Sequence, residues 1–214
     1  MLVKKVEVTD VHNEGLLLEV MADLPRNHIS YVNWTEKDES IPKVYFKIAH
    51  NGKYLFLHFF VEEKEILAHT AEDNGFVWTD SCVEFFVSFG DSPYYYNAEF
   101  SCIGKGLLGY RKNRDDSQRA GSDILSMIGR YPSLGTEPFD KKQGDFSWSI
   151  LLVIPAEAYW KSNLDCFSGV EARANFYKCG DNLTKPHYLS WKPVETATPN
   201  FHMPQFFDEL IFEK

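Results

Sequence analysis

Residues 44–61, VYFKIAHNGKYLFLHFFV, place two apolar runs on either side of Asn51-Gly52. Aromatic and β-branched runs favour strands. An Asn-Gly pair tolerates the positive φ that a tight reversal needs at both central positions. The pattern predicts an antiparallel hairpin. A polar stretch, 62–75, precedes CVEFFVSF at 82–89. There Val83, Phe85 and Val87 alternate with Cys82, Glu84 and Phe86, so Glu84 falls on the less apolar face of a strand. Residues 95–103 alternate too, with Asn97, Glu99 and Ser101 opposite Ala98, Phe100 and Cys102, which is the pattern of a half-exposed strand.

Residues 111–126 are charged and poor in apolar side chains, which marks a loose segment. A strand is expected to resume at 127–134, and FSWSILLVI (146–154) reads as another, ended by Pro155. AEAYWK then reads as a helical turn with Pro155 near its first position. In VEARANFYKC (170–179), Glu171, Arg173, Asn175 and Tyr177 face one way, and Val170, Ala172, Ala174 and Phe176 the other. HYLSW (187–191) and FFDELIFEK (206–214) read as closing strands. No periodic segment supports a helix longer than about two turns. Strand-sized runs separated by turns predict a single all-β domain over 1–214, an antiparallel β-sandwich of immunoglobulin-like type with short helical turns only.

Composition narrows the function classes. Apolar residues make up 44% of the 214, enough for a full core, and charged residues make up 25%, unlike a disordered chain. The net charge of -9 argues against a nucleic-acid partner, which requires clustered Lys and Arg. The basic run RKNR (111–114) is followed at once by two Asp and reads as a solvated loop. No apolar run approaches the roughly 20 residues that span a bilayer as a helix, so no membrane partner is expected. The first residues, MLVKKVEVTDVHNEG, lack the apolar stretch of a secretion signal, giving a cytoplasmic expectation unless a leader was removed. The four Cys form no CxxC pair, and Cys82, Cys102 and Cys179 in strand-like runs read as small buried thiols. The His residues show no HxxxH or HExxH spacing, so no transition-metal site is expected.

Glu84 is the position that asks for a function. An extended chain upstream gives Trp78 and Asp80 the parity of Glu84, so one sheet surface would carry an indole platform beside carboxylates. Sugars use that combination: their C–H faces stack on flat rings and their hydroxyls need fixed donors and acceptors. The ordinary alternative is that Trp78 caps the core and Glu84 pairs with a nearby cation. Arg173, Asn175 and Tyr177 form a second polar face, which spacing alone reads as solvated. Trp191, at a strand end, locally reads as a core seal, and Trp34 is ambiguous. A glycosidase needs two carboxyl groups, and Glu84 and Glu99 on adjacent strands are candidates. No GxSxG, phosphate loop or metal triad accompanies them, so catalysis is not the expectation.

The segments NW (33–34), VWTDSCVEFFVS, YYNAEF, and ARANFYKCGDN…PHYLSWKPVETATPNFHMPQFF resemble the family 9 carbohydrate-binding modules, most closely their stand-alone Bacteroides-type group. The resemblance runs from about residue 30 to the C-terminus. It implies a β-sandwich related to DOMON-type domains and non-catalytic binding of a mono- or oligosaccharide, including polysaccharide chain ends. It also implies two Trp platforms, with a carboxylate, an Arg and amides on the sugar hydroxyls. Carried onto this chain, the platforms are Trp78 and Trp191 and the carboxylate is Glu84. Asn97, Arg111, Arg173 and Asn175 are candidates for the polar ring. Some members carry structural calcium, so the resemblance allows it here: DKKQGD (140–145) and CGDN (179–182) could ligate a hard cation through oxygens, although they lack the alternation of a calcium loop. Some DOMON-type relatives bind haem through His and Met. Here His202 and Met203 are adjacent and cannot bracket one iron, and Met21 or Met127 would need a distant His. No cofactor is expected. A protein-interaction sandwich without a sugar site is the alternative function.

Overall fold

The computed structural model describes residues 1–214. The strands are β1 (Leu2–Lys5), β2 (Asn27–Ile29), β3 (Tyr31–Val32), β4 (Lys43–His50), β5 (Tyr54–Ala68), β6 (Cys82–Phe89) and β7 (Tyr95–Ser101). After them come β8 (Gly106–Arg111), β9 (Ser117–Arg119), β10 (Gly129–Pro132), β11 (Phe139–Pro155), β12 (Glu171–Cys179), β13 (Tyr188–Ser190) and β14 (Asp208–Phe212). One sheet runs β10-β11-β5-β4, with β2 on β4. The other runs β14-β12-β6-β7-β8-β9, with β13 on β12 and β3 on β13. The pairings are antiparallel except at β1, which joins the two sheets along one edge. Its Leu2 and Val3 run parallel to Ile211 and Phe212, and its Lys4 and Lys5 run parallel to Ala49 and His50.

The inner faces enclose the main core. Val83, Phe85 and Val87 of β6 and Ala172, Ala174 and Phe176 of β12 meet Leu55, Leu57 and Phe59 of β5 and Ile150 and Leu152 of β11. Phe176 stacks on Phe46 at 3.8 Å and on Phe85 at 4.8 Å. The outer face of each sheet is also covered. On the first, helix α1 (Glu14–Val20), capped by the Asn13 side chain on Leu16 N at 3.1 Å, packs Leu17 and Met21 over Phe56, Leu151 and Val153. On the second, the segment after β13 lays Val194, Phe201 and Phe207 over Cys82, Phe86, Tyr95, Tyr177 and Cys179.

That second cover changes the expectation for β7. Its residues are buried on both faces, not half-exposed: on the outward side Tyr95 lies under the covering segment, Asn97 lies behind Arg111, and Glu99 lines a recessed cavity. The hairpin at 43–68 forms, but its turn sits one residue later than the Asn-Gly pair indicates. Asn51 N donates to Tyr54 O at 3.1 Å, so Gly52 and Lys53 are central, and Gly52 alone takes a positive φ, 95°. Glycine first in a two-residue loop is a hairpin geometry of its own. Asn51 instead accepts from Tyr54 N at 2.9 Å through its side chain. AEAYWK contributes the 3-10 turn Ala156–Ala158.

Candidate functional site

A cavity of about 750 Å³ opens on the outer face of the second sheet. Its floor comes from β6, β7 and β12. Glu84 stands opposite Glu99 on β7 and opposite Tyr177 on β12, and Cys82 stands opposite Cys179. Period-two alternation puts Cys82, Glu84, Tyr177 and Cys179 on the outward face while their neighbours enter the core. The covering segment stops short of Glu84 and Glu99. Those two carboxyl groups, 3% and 4% exposed, therefore line the cavity and do not reach bulk solvent.

The walls come from segments that strand periodicity does not describe. Trp78 sits in a 3-10 turn, Val77–Thr79, so the parity argument that linked it to Glu84 does not apply. It reaches the cavity because this turn is tied to the end of β12: Asp181 N donates to Trp78 O at 3.2 Å, and Asn182 N to Thr79 O at 3.0 Å. Asp80 lies behind, buried, accepting from His69 N and Thr70 N at 3.0 and 2.9 Å. Trp34 forms another wall with a left-handed backbone, φ 58°. A bulky residue there is held by its surroundings. Its Nε1 donates to Thr196 O at 2.7 Å, and its ring packs on Tyr188 and Phe201 at 5.9 and 5.6 Å. Phe201 in turn stacks on Tyr177 at 4.1 Å, and Tyr95 Oη bonds His202 Nδ1 at 3.0 Å.

The cationic side comes from β8, the loop after it and β9. Arg111, Arg114 and Arg119 line the cavity. Arg111 is 8% exposed, and its Nε donates to Asn97 Oδ1 and its Nη1 to Arg114 O, both at 2.8 Å. None of the three has a carboxylate within ion-pair distance. Burial pushes Glu84 well above the usual carboxylate range, reinforced by Cys179 and Glu99 beside it. Burial also raises Glu99, to about 7, against the Asn97 hydrogen bond and the Arg111 charge. His202 is lowered to about 3 by burial, with Arg111 and Arg114 adding to the effect. The floor thus sets two carboxyl groups, both raised by burial, opposite guanidinium groups that have no ion-pair partner.

The other residues expected in the site lie elsewhere. Trp191 packs edge-on against Phe46 and Phe176 at 6.2 and 5.6 Å, over the main core. It seals the sandwich, and Trp34 stands in the cavity where a second platform was expected. Asn175 is fully buried and spends its amide on backbone: it donates to Lys192 O at 3.1 Å and Phe206 O at 3.3 Å, and accepts from Lys192 N at 3.0 Å. Arg173 is exposed next to β14, paired in register with Glu209, away from the cavity. Asn97 is fully buried behind the lining and orients Arg111 and Glu99. Arg114, Arg119, Asp181, Tyr188, Asn200, Phe201 and His202 were not expected. The stretch PNFH gave a signal, and RKNR hid one by resembling a solvated loop. In DKKQGD, Asp140 meets His69 at 2.9 Å and Asp145 pairs with Lys64.

The model of carbohydrate-binding family 9 matches residues 15–212. No curated protein sequence matches significantly. Among solved structures, a provisionally assigned carbohydrate-binding protein from Bacteroides uniformis ATCC 8492 is 38% identical. It covers 100% of this chain and 98% of its own, with a TM-score of 0.94. A family 9 carbohydrate-binding module from Caldicellulosiruptor kristjanssonii in complex with glucose is 10% identical, covers 100% and 95%, and has a TM-score of 0.56. The complex with cellotriose gives 9% identity, 100% and 93% coverage, and a TM-score of 0.57. At those identities the two modules share the fold.

Proposed function

The chain belongs to carbohydrate-binding family 9, and on that premise we propose that its cavity holds a single sugar or the end of a short oligosaccharide without cleaving it. The observation that carries this reading is one cavity lined by two half-buried indoles, the carboxyl groups of Glu84, Glu99 and Asp181, and a buried arginine, Arg111. Trp34 and Trp78 offer apolar faces for the sugar ring. Arg111 donates to hydroxyls, and Glu84, Glu99 and Asn200 accept from them. The module bound to glucose and to cellotriose supports glucose and β-linked glucans as the first ligands to try. Each hydroxyl bond replaces a water bond, so affinity is expected on the order of micromolar to millimolar.

A glycosidase places its two carboxyl groups on either side of the scissile bond. Glu84 and Glu99 instead project side by side from one sheet face, which supports binding over hydrolysis.

Intrinsic tryptophan fluorescence, titrated with glucose, xylose, galactose, cellobiose and xylobiose, tests the reading. Saturable change in the wild type, abolished by Trp78→Ala and Trp34→Ala, is the expected result. A flat response across the panel up to tens of millimolar would return the protein to the interaction-sandwich reading. Release of sugar from a chromogenic glycoside, lost in Glu84→Gln, would make it an enzyme.

A further inference from the structure

Beneath the proposed sugar site lies a group of side chains with a different chemistry. β6 and β12 pair Cys82 directly with Cys179, and Glu84 follows on the same face. The two sulfurs and a carboxyl oxygen of Glu84 lie within 4.8 Å of one another, and all three side chains are buried. Cys179 Sγ donates to Glu84 Oε1 at 2.9 Å, the only side-chain hydrogen bond of Glu84, and Glu84 has no ion pair. The thiols are far apart in sequence and meet only through the sheet.

We propose that Cys82, Glu84 and Cys179 form a binding site for zinc(II) at the floor of the cavity. Two thiolates and one carboxylate are a borderline-soft donor set, which favours zinc over calcium or magnesium. Donors around a tetrahedral zinc lie about 3.5–3.8 Å apart, so the three side chains, already within 4.8 Å of one another, need to draw together by no more than about 1 Å to share one ion. Glu84 and Cys179 line the cavity, so the ion has an entry path, and its fourth position faces the space a ligand would occupy. That position takes a water or a ligand hydroxyl, as in zinc sites with three protein ligands. Binding displaces one proton from each thiol, which leave through the cavity, and takes Glu84 as its carboxylate. Two thiolates, a carboxylate and a divalent ion leave one net negative charge, and Arg111, Arg114 and Arg119 line the same cavity to oppose it. The site needs one oxygen of Glu84, so the other remains free for a sugar. The inference does not depend on sugar binding.

The test uses the full chain, reduced and freed of metal, with all four thiols confirmed in denaturant. Cobalt(II) replaces zinc as a spectroscopic probe. The expected result is a thiolate-to-cobalt charge-transfer band in the near ultraviolet, with the strong visible bands of tetrahedral cobalt, saturating at about one ion per chain. Zinc should displace the cobalt and protect Cys82 and Cys179 from alkylation. Cys82→Ala and Cys179→Ala should each weaken uptake at least tenfold. Glu84→Gln keeps both thiolates and should retain the near-ultraviolet band at weaker affinity. Cys166 is the exposed thiol, and Cys166→Ser should change nothing. Absence of the charge-transfer band in the wild type overturns the proposal, whatever the variants do. So does a band that survives loss of both buried thiols or disappears with Cys166. Sugar titrations of the metal-free protein are read separately, so either idea can fail alone.

Discussion

Arg111 donates through Nε to Asn97 Oδ1 at 2.8 Å. The same amide donates to Glu99 Oε1 at 2.7 Å, so one buried side chain aims both the cation and the carboxyl group at the cavity. Asn97→Ala should release both. The expected result is sugar affinity lower by about tenfold and stability lower by about 1–3 kcal/mol, from unpaired buried groups. Gly109→Ala should act in the same direction without removing a polar group, because its new Cβ would lie 2.4 Å from Asn97 Oδ1 and push the amide aside. Calorimetric titration and urea unfolding read the two effects. Unchanged affinity in both variants would mean that Arg111 does not contact the ligand.

The tryptophans should separate into two classes. Trp34→Ala and Trp78→Ala remove cavity walls and should abolish measurable sugar binding. Trp191→Ala removes a ring packed over Phe46 and Phe176. It should cost on the order of 3 kcal/mol of stability and leave sugar affinity within twofold. Titration of each variant against its own unfolding curve makes the distinction, and loss of binding in a stable Trp191→Ala would reverse the assignment.

Where one rule governed a residue, the sequence was readable. The alternation Val83-Phe85-Val87 against Cys82-Glu84-Phe86 identifies the two faces of β6, and the structure puts the first on the core and the second under the cavity. Trp78 lines the cavity, but a 3-10 turn carries it there and not the extended strand that the parity argument assumed. Trp34 was not legible because its position depends on a left-handed backbone and on Thr196, far along the chain. Two members of the expected polar ring, Arg173 and Asn175, lie outside the cavity for a related reason. Asn175 and Arg173 share a face of β12 in the pattern, but which end of that face stays open depends on where the segment after β13 crosses it. Periodicity says which way a side chain points and is silent on what is laid over it.

Lys178 points the other way from Tyr177 and Cys179 and pairs with Glu63 at 2.9 Å, both side chains essentially inaccessible. Trp148 Nε1 also donates to Glu63, at 2.6 Å. Lys178→Met strands a buried carboxylate and should cost about 3–5 kcal/mol. Adding Glu63→Leu removes the stranded charge and should recover most of that loss, short of about 1–3 kcal/mol for the Trp148 donor left without a partner. Urea unfolding of the single and double variants measures the difference. A double variant no better than the single one would show that the pair, and not the isolated charge, carries the stability.

Stability should depend on pH in two opposite ways. Burial lowers His58 to about 4 and His202 to about 3. The unfolded chain protonates these rings near 6.5, so it binds more protons than the folded chain below that pH. Their contribution is complete above pH 6.5 and is lost as pH falls toward 4 and 3, at up to about 1.4 kcal/mol per pH unit for each ring. Glu99 works in reverse. Its folded value near 7 lies above the ordinary 4.5, so its contribution is complete below pH 4.5 and is lost as pH rises through 7. Between 4.5 and 6.5 two rings act against one carboxyl group, so stability should still rise with pH and reach its maximum near 6.5. Melting temperatures from pH 3 to 9, with a chelator present, should show a steep acid limb and a shallower decline toward alkaline pH. His202→Gln keeps a polar side chain near Tyr95 and should flatten the acid limb, while Glu99→Gln should flatten the alkaline one. Parallel limbs in wild type and both variants would mean that other groups control the profile.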